Sequence, residues 1–199
     1  MPETSIAEAL KHYPLSVDLN DQAFTLRPMS ADDGPLLLAF ASQLPQHDIL
    51  FMRRDISTPA GVDKWVRDVE RGMIHSILAE DTFGICGYST IHLNDLEWSQ
   101  HVADLRVTTA ERARGCGLGR LLTREAFNIA LSLGVEKLIA RMTTDQSGAR
   151  ELFHELGFHN EALLKDHVKD RNGDAHDLLL MACDVQTFLS TRNAYGVVN

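Results

Sequence analysis

The chain has 199 residues, of which 44% are hydrophobic and 24% are charged, and its formal net charge at pH 7 is −9. This composition predicts one globular domain with a sizeable core and excludes a disordered chain. The negative charge argues against a nucleic-acid partner, because a phosphate backbone is bound by a basic surface. No apolar run is long enough to span a bilayer and no basic segment leads into an apolar one, so we expect no membrane partner and a cytoplasmic location.

The first half of the chain is predicted to contain a strand over residues 24–29 and helices over 35–44 and 60–70. Ser30 and Asp33 have the spacing of a capping box before the first helix. Residues 1–22 show no clear period and are interpreted as an N-terminal extension. Residues 45–60 contain several turn formers, so we expect a surface loop there.

The second half alternates between a period of two and a helical period. Strands are predicted over residues 74–80, 85–92, 102–108, 135–143, 163–168 and 176–183, and helices over 118–133 and 147–156. This order indicates one α+β domain over residues 23–183, followed by a C-terminal tail over 184–199 with a short helix near 185–190.

Three cysteines, Cys86, Cys116 and Cys183, are widely spaced and form no CxxC pair. An odd number without such pairs predicts neither a disulfide framework nor a zinc site. His154 and His159 also lack partners at a recognisable metal spacing. We therefore expect no bound metal.

The most informative segment is RGCGLGRLL over residues 114–122, a glycine-rich turn that leads into a helix. Glycines at alternate positions let backbone N–H groups converge without obstruction by Cβ atoms. A helix start adds unpaired N–H groups and the positive end of the helix dipole. The segment therefore predicts a site for a phosphate or pyrophosphate.

Three other phosphate-binding motifs do not match this spacing. A dinucleotide fingerprint that starts at Gly115 needs a third glycine where Arg120 stands, and one that starts at Gly117 needs it at Leu122. A nucleotide P-loop starting at Gly115 also needs a glycine at Arg120. A kinase loop fails on the same spacing, and no HRD or DFG motif follows.

The spacing Arg114-x-x-Gly117-x-Gly119 resembles the signature of the GNAT superfamily of acyl-CoA-dependent N-acetyltransferases. Downstream, a second segment resembles the family pattern N-x-x-A-x-x-L-Y-x-x-x-G-F. The corresponding positions in this chain are Gln146, Ala149, Leu152, Phe153, Gly157 and Phe158, of which the first and the fourth differ from the pattern. The resemblance covers about residues 23–183 and implies a mixed, mostly antiparallel central sheet with one splayed parallel pair, flanked by helices.

A narrower resemblance is to the acetyltransferase domain of the bacterial Pat-type protein lysine acetyltransferases. It is carried at the start of the domain by Leu26, Arg27, Pro28, Asp32, Asp33, Leu37 and Phe40. The stretch over residues 103–109 also has the length found in that group, and Asp104 stands where its members carry a glutamate.

The family resemblance implies that acetyl-CoA is the acyl donor and lies between the two splayed parallel strands. Backbone groups of Val107, Thr108 and Thr109 would pair with the pantetheine arm. The pyrophosphate would be held by the segment Arg114, Gly115, Cys116, Gly117, Leu118, Gly119 and Arg120. Gln146, where the family often has asparagine, would bond the pantetheine. Phe153 departs from the family pattern. In the family this position usually holds a tyrosine, which protonates the departing CoA thiolate.

Acylation of an amine requires the neutral form, so a base must accept a proton from the ammonium. Asp104 is the leading candidate, acting directly or through a water molecule. The alternative is that Asp104 is a strand carboxylate paired with Arg106 or Arg141. Glu97, His92 and His101 are reserve candidates in the same region.

These features predict an N-acetyltransferase that transfers an acetyl group directly from acetyl-CoA to a primary amine. The acceptor is left open between a protein lysine and a small amine, and the oligomeric state is left open, a homodimer included. The alternative from another class is a non-catalytic acyl-CoA-binding sensor or regulatory domain, which the phenylalanine at position 153 favours.

Overall fold

The computed structural model describes residues 6–50, 52 and 54–188. The helices are α1 Ile6–Ala9, α2 Gly34–Ser42, α3 Gln46–Leu50, α4 Pro59–Glu70, α5 Leu118–Ser132 and α6 Ser147–Glu155. The strands are β1 Leu15–Leu19, β2 Gln22–Pro28, β3 Ile74–Asp81, β4 Gly84–Leu93, β5 Val102–Thr109, β6 Lys137–Thr143, β7 His159–Lys169 and β8 Ala175–Asp184.

The eight strands form one sheet in the order β1-β2-β3-β4-β5-β6-β8-β7. Every neighbouring pair is antiparallel except β5 and β6, which run parallel. The parallel pairing covers only three residue pairs, from Val102 opposite Lys137 to Asp104 opposite Ile139. The predicted fold class is therefore confirmed, including the splayed parallel pair.

Helices cover the two faces of the sheet and bury two apolar clusters. The apolar stripe of α5, which includes Leu122 and Phe127, packs against the middle of the sheet. On the opposite face, α2 and α4 pack on β3 and β4 around Phe40, Trp65 and Tyr88. These helices pack mainly on β3 and β4 rather than on β5 and β6.

Two segments contain more regular structure than their sequence predicts. Residues 15–19, which the sequence assigns to an N-terminal extension, pair with β2 as the edge strand β1. The predicted loop over residues 45–60 contains α3, whose Ile49 is buried in the second apolar cluster, and Ile56 further along the segment is buried there too. In the C-terminal tail, residues 185–188 form a helical turn, and residues 189–199 lie outside the described part of the chain.

A charged network closes the junction between β2 and α2. The Arg27 guanidinium donates to both carboxylate oxygens of Asp33 at 2.8 and 2.6 Å and to Glu80 at 2.6 Å. The Ser30 N–H also donates to Asp33 at 2.7 Å, as the predicted capping box requires. Burial alone would raise the pKa of Asp33, but the bonds from Arg27 and Ser30 lower it below its ordinary value of 3.8.

We expect Asp33→Asn to lower the free energy of unfolding at pH 7 by about 2 kcal/mol, because it leaves a half-buried guanidinium with one fewer anion. A carboxylate whose pKa is lowered in the folded state stabilises it above the ordinary pKa and loses that contribution as pH falls. The difference in the free energy of unfolding between wild type and variant, measured by urea unfolding, should therefore become smaller below about pH 4. The exposed Asp32→Asn is the matched control, and equal curves for the two variants would contradict the prediction.

Candidate functional site

The glycine loop has the geometry of an anion-binding turn. Gly115 and Gly117 have positive φ angles of 76° and 96°, a region that side chains with a Cβ rarely adopt. A Cβ built on either glycine would meet no heavy atom of the chain within 4 Å. Helix α5 begins directly after Gly117, so the N–H groups of its first turn have no carbonyl one turn earlier to bond. Open space thus lies beside a set of unpaired donors.

The second feature is the gap between β5 and β6. Beyond Asp104, the edge of β5 that faces β6 has no strand partner among the described residues. Such an edge can hydrogen-bond an extended ligand as another strand would. A cavity of about 830 Å³ occupies the gap, with Leu105 and Val107 on one wall and Ala140 and Met142 on the other.

This cavity brings most of the predicted site residues together. Those that line it are Asp104, Val107, Thr108, Thr109, Arg114, Gly115, Gly117, Gly119, Arg120, Gln146 and Phe153. Cys116 and Leu118 are not among its lining residues. Leu118 is fully buried in the α5 cluster, and the Cys116 thiol donates to the Ala113 carbonyl at 3.3 Å. The Leu118 side chain therefore does not reach the cavity, and the Cys116 side chain is not part of its lining.

Both arginines of the loop form ion pairs. Arg114 pairs with Asp48 of α3 and donates to the Thr109 carbonyl at 3.2 Å. Arg120 pairs with Glu155 of α6. Both side chains are about half exposed, at 45% and 54%, so exchanging these partners for a phosphate costs little.

The start of α6 forms the opposite wall of the cavity. Gly119 lets α6 approach closely, since a Cβ there would stand 3.2 Å from a methyl group of Leu152. Gln146 accepts a hydrogen bond from the Thr143 N–H at 3.2 Å. Phe153 is buried and contacts Phe158 edge to face, with ring centroids 4.9 Å apart. Its ring offers no proton donor to the cavity.

Asp104 lies at the last paired position of β5, where the two strands separate. Its carboxylate pairs with Arg141 of β6, and its side chain is 23% exposed. Arg141 is one of the two partners that the sequence leaves open for this carboxylate. His92 stands opposite Asp104 on β4 and also lines the cavity. The other reserve candidates, Glu97 and His101, are exposed and lie outside it.

Sequence reasoning missed the residues that reach the cavity from the predicted loop and the second face. His47, Asp48, Met52 and Arg54 come from the segment around α3, and Trp65, Tyr88 and Thr90 come from α4 and β4. Arg106 of β5, which the sequence suggests only as a partner of Asp104, also lines the cavity. Burial raises the pKa of Tyr88, although Arg106, Thr108 and Arg54 nearby oppose the rise. The spacing of these residues follows no known motif. The only sequence signal for any of them is the group of turn formers over residues 45–60, which predicts a surface loop.

Two further findings concern the described ranges only. No helix there is long and apolar enough to cross a membrane. No group of three or more His, Cys, Asp or Glu side chains there is arranged to hold a metal ion.

Solved structures with the same fold are numerous, whereas no curated protein matches the chain. A GNAT-family acetyltransferase from Streptococcus pneumoniae is 22% identical with a TM-score of 0.70, over 81% of this chain and 99% of the other. The yncA protein from Salmonella typhimurium, solved with its cofactor acetyl-CoA, is 17% identical with a TM-score of 0.70, over 81% and 94%. A ribosomal-protein-alanine N-acetyltransferase from Brucella melitensis is 26% identical with a TM-score of 0.67, over 80% and 98%.

The narrower resemblance to Pat-type enzymes stays a prediction. At the level of the family, the model of the acetyltransferase (GNAT) family matches residues 40–158. Since this match spans more than half of the sequence and includes the glycine loop, β5, β6 and α6, the chain belongs to the acetyltransferase (GNAT) family, which uses acetyl-CoA.

Proposed function

We propose that this protein transfers the acetyl group of acetyl-CoA to a primary amine that binds in the same cavity. The observation that carries the proposal is the continuity of the cavity, which runs from the glycine loop through the gap between β5 and β6 to Asp104. Family membership supports acetyl transfer as the reaction. The acetyl-CoA in the Salmonella protein of the same fold supports this donor.

The residues present fit acetyl-CoA. Open space beside Gly115 and Gly117, together with the unpaired amides of the first turn of α5, suits a pyrophosphate. Arg114 and Arg120 add positive charge at the same end of the cavity. The edge of β5 over residues 107–109, which has no strand partner in the described part of the chain, suits the amides of a pantetheine arm. When bound, acetyl-CoA supplies the acetyl group as an activated thioester.

The acceptor side needs a group that takes a proton from the ammonium, because a primary amine is largely protonated at pH 7. We assign this role to Asp104, which lies in the cavity at the point where β5 and β6 separate. Arg141 holds the carboxylate in place from the facing strand. The short aspartate side chain favours transfer through one water molecule over direct contact.

The proposal does not require a proton donor at position 153. A thiolate is a good leaving group, since the reference pKa of a thiol side chain is about 8.5. Solvent at the open end of the cavity can therefore protonate the thiolate after it departs. Phe153 then forms an apolar part of the wall that α6 contributes to the cavity.

A panel of amines tests this function. The purified chain is incubated with acetyl-CoA and with amino acids, polyamines, aminoglycosides and lysine-containing peptides in turn, and free thiol release is followed. Mass spectrometry then checks that the acceptor has gained one acetyl group. We expect thiol release that depends on the amine. Release that does not depend on the amine, or no release with any acceptor, would contradict the proposal.

A further inference from the structure

Three guanidinium groups line the part of the cavity on the second face of the sheet, which we call the acceptor half and define by Tyr88, Thr90, His92, Asp104 and Arg106. Arg54, Arg106 and Arg141 all line it, although the chain as a whole carries a net charge of −9. Arg141 is paired with Asp104. Arg106 stands opposite Thr90 on β4, and the charges of Arg106 and Arg54 oppose the rise that burial causes in the pKa of Tyr88. Asp68 pairs with Arg54 and Asp104 pairs with Arg141, so three guanidiniums stand against two carboxylates and the acceptor half has an excess of one positive charge.

Arg54 is the most enclosed of these groups. Its side chain is only 14% exposed, and its Nη2 donates to the Asp68 carboxylate of α4 at 3.0 Å. Its Nε and Nη1 are buried and have no acceptor in the described part of the chain. A guanidinium is always charged and carries five N–H donors. The buried Nε and Nη1 groups have almost no accessible surface, so a ligand in the cavity meets the remaining exposed part of the guanidinium and its charge. That charge favours an anionic group there.

The charge of this region bears on the choice of acceptor. A purely cationic amine would meet like charge from Arg54 and Arg106 as it approached Asp104. An amine that also carries a carboxylate would place its anionic group near these guanidiniums and its amine near Asp104. Planar carboxylates match guanidinium donors in geometry as well as in charge.

The segment around α3 limits the size of the acceptor. His47 bonds Asp145 beside the start of α6 at 3.1 Å, and Asp48 pairs with Arg114 of the glycine loop. These two contacts tie α3 across the cavity to the elements on its other side. A volume of about 830 Å³, shared with the donor, is in the range of small-molecule sites.

We propose that the acceptor is a small primary amine bearing a carboxylate, of the amino-acid class, and that Arg54 together with Arg106 binds that carboxylate. This inference rests on the proposed function and makes it more specific. Arg54 and Arg106 are then specificity-determining residues on the acceptor side, and neither takes part in proton transfer.

The test compares matched acceptors that differ only in the carboxylate. Amino acids and their carboxamides are assayed in pairs with saturating acetyl-CoA, and kcat/KM is measured for each. We expect the best acceptor to be an amino acid that is used at least about tenfold better than its carboxamide. The carboxamide has the more easily deprotonated amine, so this bias works against the expected result. An equal or reversed ratio, or transfer to lysine-containing peptides or polyamines alone, would overturn the inference.

Variants connect the preference to the arginines. Arg54→Gln and, separately, Arg106→Gln should reduce the acid-to-carboxamide ratio at least about fivefold, mainly through KM for the acid. Arg67→Gln, an exposed arginine of α4 next to Asp68, should leave the ratio unchanged. A ratio unaffected in a folded Arg54 variant and in the Arg106 variant would overturn the assignment. Thiol release with carboxamides or polyamines but not with acids would leave acetyl transfer intact, whereas no release with any amine would defeat the proposed function itself.

Discussion

Gly117→Val should weaken CoA binding about 100-fold while leaving the protein folded. Valine cannot adopt the φ of 96° at this position without strain, so the first turn of α5 must shift its N–H groups. Its side chain would also enter the open space beside the loop. Losing two hydrogen bonds to a charged phosphate costs about 3 kcal/mol, which corresponds to about two orders of magnitude in affinity. Titration calorimetry with CoA measures the change directly.

Gly84→Val is the matched control for this prediction. Gly84 has a similar φ of 104°, and a Cβ there would also meet no other atom within 4 Å. It is the first residue of β4, directly after the turn from β3, and it does not line the cavity. Both variants should lose similar thermal stability, but only the change at Gly117 should affect CoA affinity. Equal CoA affinity in the two variants would show that the loop does not bind the cofactor.

Asp104→Asn should lower kcat about 100-fold and change CoA affinity less than twofold. An amide cannot accept the proton of an ammonium, and the loss of a general base costs two or more orders of magnitude in rate. The cofactor end of the cavity lies further along β5, beyond Val107, so it should not respond. Steady-state thiol release with the best amine and calorimetry with CoA separate the two effects.

Two variants show whether the effect of Asp104→Asn is specific. Asp104→Glu keeps a carboxylate and should retain most of the activity. Asp18→Asn removes a strand carboxylate at the far edge of the sheet, on β1, and should behave as wild type. If Asp104→Asn turns over as fast as wild type, Asp104 is not the base. His92, which faces the same cavity, would then be the next candidate.

Much of the fold could be predicted because its signals are local in the sequence. The stripe of α5 has a period near 3.6 and β3 to β5 have a period of two, so their type and order follow from the pattern. The edge strand β1 has the same period, with Leu15, Val17 and Leu19 alternating with polar residues. Five residues at a sheet edge are too short a signal to stand out. Helix α3 is stabilised by the burial of Ile49 in the second apolar cluster, and that cluster is assembled only in three dimensions.

The cofactor end of the site could likewise be predicted from the sequence, whereas the acceptor half could not. The cofactor end is built from one continuous segment around Arg114, Gly117 and Gly119, so the chemistry of a phosphate site can be inferred from spacing alone. The acceptor half combines Arg54 from the α3–α4 connection with Arg106 and Arg141 from two strands. These three residues come together only through the sheet order and the splay of β5 from β6. No linear pattern therefore indicates them.

Binding and acetyl transfer are tested together most directly in one preparation of the unmodified chain. Calorimetry gives the affinity for CoA, and thiol release with mass analysis of the acceptor gives turnover over the panel of amines. We predict CoA binding together with amine-dependent turnover that yields an acetylated acceptor. CoA binding without turnover on any amine would instead identify an acyl-CoA-binding sensor, and the absence of CoA binding would contradict the assignment of the glycine loop.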